Sequence, residues 1–237
     1  MPFKIKNECP ICGQERTPIE HPETHICEIC HSRYEADIVC DNCHYICYTC
    51  RHENVRQSIL DHCLNSSSAE PFELETELMK LPGVLMHGPE HHLLTTAALL
   101  TAYANQTGSK DLAGLLAEAN DRSMNVPGAV CGLWGICGAA IGAGIYVSII
   151  TETGPLSTDT WKTTGQLTAK CADIISKQGG PRCCKRDAFL TLRTAVSYSN
   201  EVFGIEFHQP ETIICDFYVN NRECKGKCCE FFPYIHN

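Results

Sequence analysis

From Ser123 through Thr151 the chain carries no charged residue. Within that span, V-C-G-L-W-G-I-C-G-A-A-I-G-A-G-I runs from Val130 to Ile145, apolar positions broken by five glycines. A stretch of this kind belongs in an interior. Each glycine costs a helix about 1 kcal/mol against alanine, so glycines persist there where something approaches the backbone closely. The stretch is therefore read as the central helix of the fold. Upstream, Leu93, Leu94, Ala97, Ala98, Leu100 and Tyr103 form an apolar face behind Pro89, which suits a first helical turn, and Gly108 can cap the end. Asp111 to Asn120 reads as a second, short helix. Ser157 or Thr158 can cap another that runs to about Lys177, with Trp161, Leu167, Cys171, Ile174 and Ile175 near one face. Gly179-Gly180 ends it. Pro181 opens the next, which carries Phe189, Leu190, Leu192, Ala195 and Val196 and runs to Gly204. Residues 53–63 are helical in pattern, with Val55, Ile59 and Cys63 at apolar spacing. Thr212 to Val219 alternates weakly, as a short strand does.

These patterns predict a mainly α protein. A small zinc-ribbon or treble-like module covers residues 1–65. A linker covers 66–76, marked by three serines and Pro71. An all-helical domain with a Cys-rich irregular tail fills 77–237.

Composition changes the picture at one point. The chain holds 18 cysteines in 237 residues, eight of them in C-x-x-C pairs. With no apolar leader after M-P-F-K-I-K-N-E, the pattern favours metal ligation in a reducing cytoplasm over a disulfide scaffold. The formal net charge of −9 lacks the basic footprint of a nucleic-acid binder, and residues 1–65 hold six Lys+Arg against ten Asp+Glu. A membrane span over Val126 to Ile150 is disfavoured by six glycines, one proline and the lack of flanking cations.

Cys9-x2-Cys12 and Cys27-x2-Cys30 have ribbon-type spacing, since each C-x-x-C turn sets two sulfurs on one side of a tetrahedral ion. Gly13 supplies the glycine common in such knuckles. Zinc is the expected ion, and rubredoxin-like iron suits four thiolates equally. Cys40, Cys43, Cys47 and Cys50 follow, with His44 and His52 nearby. They can surround a second zinc or an iron–sulfur cluster. A cross-braced pairing joins Cys9/Cys12 to Cys40/Cys43 and Cys27/Cys30 to Cys47/Cys50, and His44 can replace Cys43.

In the helical part, His91 and His92 open a helix, where the dipole favours neutral imidazole, the form that binds metal or accepts a proton. Cys183 and Cys184 fall in a first helical turn beside Arg182, Lys185 and Arg186, a setting expected to lower thiol pKa values. Cys215, Cys224, Cys228 and Cys229 can close a metal site alone, or join Cys131, Cys137, Cys183 and Cys184 across the fold. Cys63 and Cys171 sit on apolar faces and read as core.

The motifs G-x-x-C-G-x-x-G-x-C-G-A-A-I-G-x-G-I, T-G-P-L-S, G-G-P-R-C-C-K-R, N-x-E-C-x-G-x-C-C and P-E-H-H together resemble an uncharacterised domain family of anaerobic bacteria and archaea, over residues 81–237. The resemblance implies a setting beside radical-SAM or methyltransferase modules, and weight on His91, His92, Cys131, Cys137, Cys183, Cys184, Cys224, Cys228 and Cys229. It implies no reaction. The reading that combines these observations is an iron–sulfur or thiolate-metal redox protein, or a sulfur- or one-carbon-transfer accessory. Cys131, Cys137, Cys183, Cys184, Cys224, Cys228 and Cys229 would bind the cofactor, and Cys183, Cys184, His91 and His92 would react. A partner enzyme is expected, with neither nucleic acid nor membrane. The alternatives are a zinc-stabilised adaptor and a thiolate-dependent transferase. No glycine loop follows a strand, which disfavours a Rossmann-type methyltransferase.

Overall fold

The computed structural model describes residues 9, 11, 12 and 14–233. Gly13, the expected knuckle glycine, lies outside them. Among the described residues the protein is mainly helical, with one two-stranded sheet at the N-terminal end. Strand β1 (Arg16–Ile26) pairs antiparallel with β2 (Arg33–Cys40), from Arg16 opposite Cys40 to Ile26 opposite Arg33. The register shifts between Pro18 and Glu23, where Pro18 and Pro22 have no N–H to give the ladder.

Eight α-helices follow: α1 (Tyr48–Asn65), α2 (Pro71–Met79), α3 (Glu90–Thr107), α4 (Leu112–Met124), α5 (Val130–Leu133), α6 (Gly138–Ile150), α7 (Asp159–Gln178) and α8 (Cys184–Phe203). Helix α3, not the Gly/Cys stretch, is central. It is buried on nearly every side, with α1, α2, α4, α6 and α8 packed around it. Gly108 ends it in the left-handed conformation (φ 71°). Asp111 caps α4 by accepting from the Gly114 N–H.

The Gly/Cys stretch departs from expectation. It is two helices, α5 and α6, separated by a turn through Gly135 (φ 74°). Leu133 and Trp134 in that turn are 78% and 66% exposed. Only the α6 half is interior, and there the glycines explain themselves. A Cβ on Gly142 would lie 2.7 Å from His92 O and 2.8 Å from Thr96 Oγ1, and Thr96 Oγ1 donates to Gly142 O at 2.9 Å. Gly138 lies against the His92 ring and Gly144 against Thr168. These glycines let α6 approach α3 and α7 at backbone distance.

Two further expectations need correction. Residues 66–76 are not a free linker. Pro71–Met79 is helix α2, and Asn105 Nδ2 donates to Ser66 O and Ser68 O, at 3.1 and 2.8 Å. Nor does the small module end cleanly at residue 65, because Val55, Ile59 and Cys63 of α1 belong to the main helical core. The tail forms no strand at 212–219. It runs irregularly through two short 3-10 turns, Tyr218–Asn220 and Gly226–Cys228. Its Phe217 and Phe231 are buried, and Phe231 packs edge-on against Phe189 of α8.

Candidate metal centres and an adjoining cavity

The hairpin carries a metal-ligand group at each end. Cys9, Cys12, Cys40 and His44 form one, and Cys27, Cys30, Cys47 and Cys50 the other, with ligand atoms in each group all within 4.8 Å of one another. A tetrahedral zinc with Zn–S of about 2.3 Å sets its sulfurs about 3.8 Å apart. Cys12 Sγ and Cys40 Sγ are 3.8 Å apart, as are Cys30 Sγ and Cys47 Sγ. His44 Nδ1 is 3.8 Å from Cys9 Sγ and 3.7 Å from Cys40 Sγ. Both donor sets fit a single ion, and three sulfurs with one imidazole favour zinc over rubredoxin-like iron at the first. Backbone amides prepare some of the thiols, while burial raises Cys9 and Cys50. The Gln14 N–H lowers the Cys12 thiol to about 6, and the Ser32 N–H lowers Cys30.

The pairing is cross-braced. Cys43 belongs to neither group. It sits exposed in a turn with φ 57°, its N–H bonded to Cys40 O at 2.7 Å, and the turn presents His44 to the ion position in its place.

In the helical domain, seven cysteines divide between two cavities on either side of the α8 N-terminus. The smaller, about 20 Å³, is lined by Cys183, Cys215, Cys224 and Cys229 with Met86, Arg186, Asn221, Tyr218, Phe231 and Phe232. Two of these sulfurs accept a backbone N–H, Cys215 from Phe217 and Cys224 from Gly226, both at 3.4 Å, and the Arg186 and Phe231 amides act to lower Cys183 and Cys229 against the effect of burial. This is the amide–sulfur pattern that also serves Cys12 and Cys30. Among the described residues, no three of these sulfurs lie mutually within 4.8 Å, so the group is wider than a single-ion site. Cys228, expected as a ligand, is exposed on a 3-10 turn and lines neither cavity. Cys215, one option for the tail group, faces the cavity in its place.

The larger cavity, about 330 Å³, lies where α1, the 85–89 loop, α5, and the first turns of α3, α6 and α8 meet. Cys131, Cys137 and Cys184 line it, with His87, His91, His92, Arg182 and Asp187, and with Tyr48 and His52 from α1. The vicinal cysteines thus part: Cys183 faces one cavity and Cys184 the other.

The histidines are oriented by the backbone. His91 Nδ1 donates to Gly88 O at 3.1 Å, and His92 Nδ1 to Val126 O at 3.2 Å. A carbonyl only accepts, so each Nδ1 carries the proton and each Nε2 keeps its lone pair. His91 is 2% exposed, and its Nε2 has no partner. Burial pushes both imidazoles below their ordinary pKa, most strongly His91, where the Lys185 charge adds to the effect.

The expected lowering of the vicinal thiols does not occur. Burial raises Cys183 and raises Cys184 to about 12, despite the surrounding cations. Two of those cations have partners of their own. Lys185 turns into the core, 4.8 Å over the Phe217 ring, and the Arg186 guanidinium binds Asp187 at 2.9 Å. Burial likewise raises Cys137, whose sulfur lies 3.9 Å from Asp187 Oδ2. Cys171 and Cys63 are fully buried core residues. Asp187, which sequence reasoning passed over, stands three residues after Cys184 on one helix face, a spacing visible in the sequence. Tyr48 and His52 carried no such signal, because their place in the cavity depends on how α1 docks.

Two ion-sized ligand groups on a cysteine-rich, mainly helical body define a candidate metal-binding protein. The chain belongs to a family of unknown function (DUF5714), whose profile matches residues 59–232. The match starts inside α1 and leaves both ion-sized groups outside it. No curated protein and no solved structure matches the chain. Among the described residues, no helix is long and apolar enough to cross a membrane.

Proposed function

We propose that this chain is a thiolate-metal redox accessory protein: a zinc-built N-terminal module on a helical domain that carries an iron–sulfur cluster. Cys183, Cys215, Cys224 and Cys229 would hold the cluster. The observation that supports this is the convergence of these thiols, from α8 and the tail, on one small apolar cavity, with amide–sulfur bonds at Cys215 and Cys224 and no compact single-ion group among them. A cluster places its own iron and sulfide between the thiolates, and because the cavity of about 20 Å³ has room for about one water, its binding would spread the tail away from α8. When bound, it supplies one-electron chemistry at a potential set by burial and hydrogen bonds to sulfur. The chain's own part is to exclude water with Met86, Phe231 and Phe232, and to place the Arg186 charge beside Cys183 and Cys229. The partner would be an enzyme of the radical-SAM or methyltransferase type in an anaerobic cytoplasm. Leu133 and Trp134, exposed beside Cys131, offer it an apolar contact.

The test is metal and sulfide analysis of the full chain, purified without oxygen. We expect two zinc ions, one for each compact ligand group, together with iron and acid-labile sulfide. Cys229→Ser should lower the iron, and Cys228→Ser should leave it unchanged. A colourless protein without iron, even after anaerobic reconstitution, overturns the proposal.

A further inference from the structure

We infer that the 330 Å³ cavity is a second iron–sulfur site, bound by the thiolates of Cys131, Cys137 and Cys184 and leaving one iron free of cysteine. The inference shares its cofactor class with the proposed function but uses none of the same ligands.

Three features carry it. The first is the donor set. Three thiols from three separate segments line one cavity, and among the described residues no three donors there lie within 4.8 Å of one another. No compact single-ion group forms there, and the volume leaves room for a polynuclear centre held by the three thiolates. The second is the histidine geometry. In His91 and His92 one ring nitrogen donates to a backbone carbonyl while the other keeps its lone pair, which is how imidazoles beside a metal are usually oriented. His91 Nε2 is buried, unpartnered and on the cavity wall, an arrangement that costs free energy unless something binds there. The third is the field. Helices α3, α6 and α8, of 18, 13 and 20 residues, all begin at this cavity, and none has a side-chain cap. Their positive ends favour the net negative charge of a thiolate-bound cluster.

The iron without a cysteine would face His91, His92 or a small molecule entering past Arg182. A ligand there would bind through oxygen or nitrogen. Because Cys183 and Cys184 are consecutive, the two centres would be joined through a single peptide unit.

The experiment is an iron, sulfide and zinc count on the anaerobically reconstituted full chain and on three variants. Two cubane clusters give about eight iron per chain. Cys184→Ser and Cys131→Ser should each halve the iron, and Cys229→Ser should remove the other half. Retention of two zinc ions and of helical circular dichroism shows that each variant is folded. Cys131, Cys184 and Cys229 are all half-buried, so none of these substitutions empties a fully buried position. A count of about four that Cys184→Ser and Cys131→Ser leave unchanged overturns the second site and spares the first. A count of about four lost in those variants but kept in Cys229→Ser supports the second site and overturns the first. One zinc or nickel ion, without sulfide, lost with Cys184→Ser overturns the cluster assignment.

Discussion

Gly142 and Gly165 separate two effects that a glycine-to-alanine change always mixes. Both lie inside helices, so alanine recovers about 1 kcal/mol of helix propensity at either position. At Gly165, on the exposed side of α7, the new methyl meets nothing within 4 Å, and Gly165→Ala should stabilise by that amount. At Gly142 the methyl would sit 2.7 Å from His92 O and 2.8 Å from Thr96 Oγ1. The carbonyl is backbone in the first turns of α3 and cannot swing away, so α3 and α6 must part by a few tenths of an ångström. Overpacking of this kind costs about 1–3 kcal/mol, and strain on the Thr96–Gly142 hydrogen bond at 2.9 Å adds to it. Gly142→Ala should therefore be less stable than Gly165→Ala by at least about 1–3 kcal/mol. Urea unfolding of the zinc-loaded protein, followed by circular dichroism, gives both midpoints under the same conditions. Equal stabilisation by the two variants would refute the claim that α6 glycines exist for close approach to α3.

The zinc module carries two further predictions. His44→Ala should lower zinc content from two ions to about one, while Cys43→Ala should leave two, as measured by atomic emission on purified protein; the reverse result would return Cys43 to the ligand set. Thiolates bind metal and thiols do not, so protons compete for the sulfurs as pH falls. Zinc transfer to a chromogenic chelator should quicken as pH falls, burial favouring the protonated form of Cys9, while Cys12, which the Gln14 N–H lowers to about 6, resists protonation down to that pH. Release that does not vary with pH would count against thiolate ligation.

Much of the fold was legible because helices announce themselves by period and punctuation. The start of α3 near Pro89, its end at Gly108, the Asp111 boundary of α4 and the Gly179 end of α7 stood in the sequence as local chemistry. The metal module was legible as spacing, although which of Cys43 and His44 faces the ion depends on one positive φ that spacing does not encode. What failed was non-local. The run 130–145 looked like one buried helix because apolar composition says nothing of a turn at Gly135 that carries Leu133 and Trp134 outward. The cations around Cys183 and Cys184 suggested lowered pKa values, yet their effect depends on where they point, and Lys185 points into the core. The division of Cys183 and Cys184 between two cavities is likewise a matter of helix placement, invisible in C-C.

Helix α1 begins in one structural unit and ends in another. Cys47 at its N-cap and Cys50 in its first turn belong to an ion-sized group, Tyr48 and His52 form part of the larger cavity's wall, and Val55, Ile59 and Cys63 lie in the helical core. A truncation made at residue 59, where the family match starts, would cut α1 in mid-helix and strip Val55 from Gly83, whose φ of +87° and lack of a side chain admit that valine. It would also open one wall of the cavity to water. Fragments meant to isolate the helical domain should therefore keep the whole of α1 and the ligand groups before it. Chelating the zinc should act at a distance, loosening Tyr48 and His52 before the rest of the helical core.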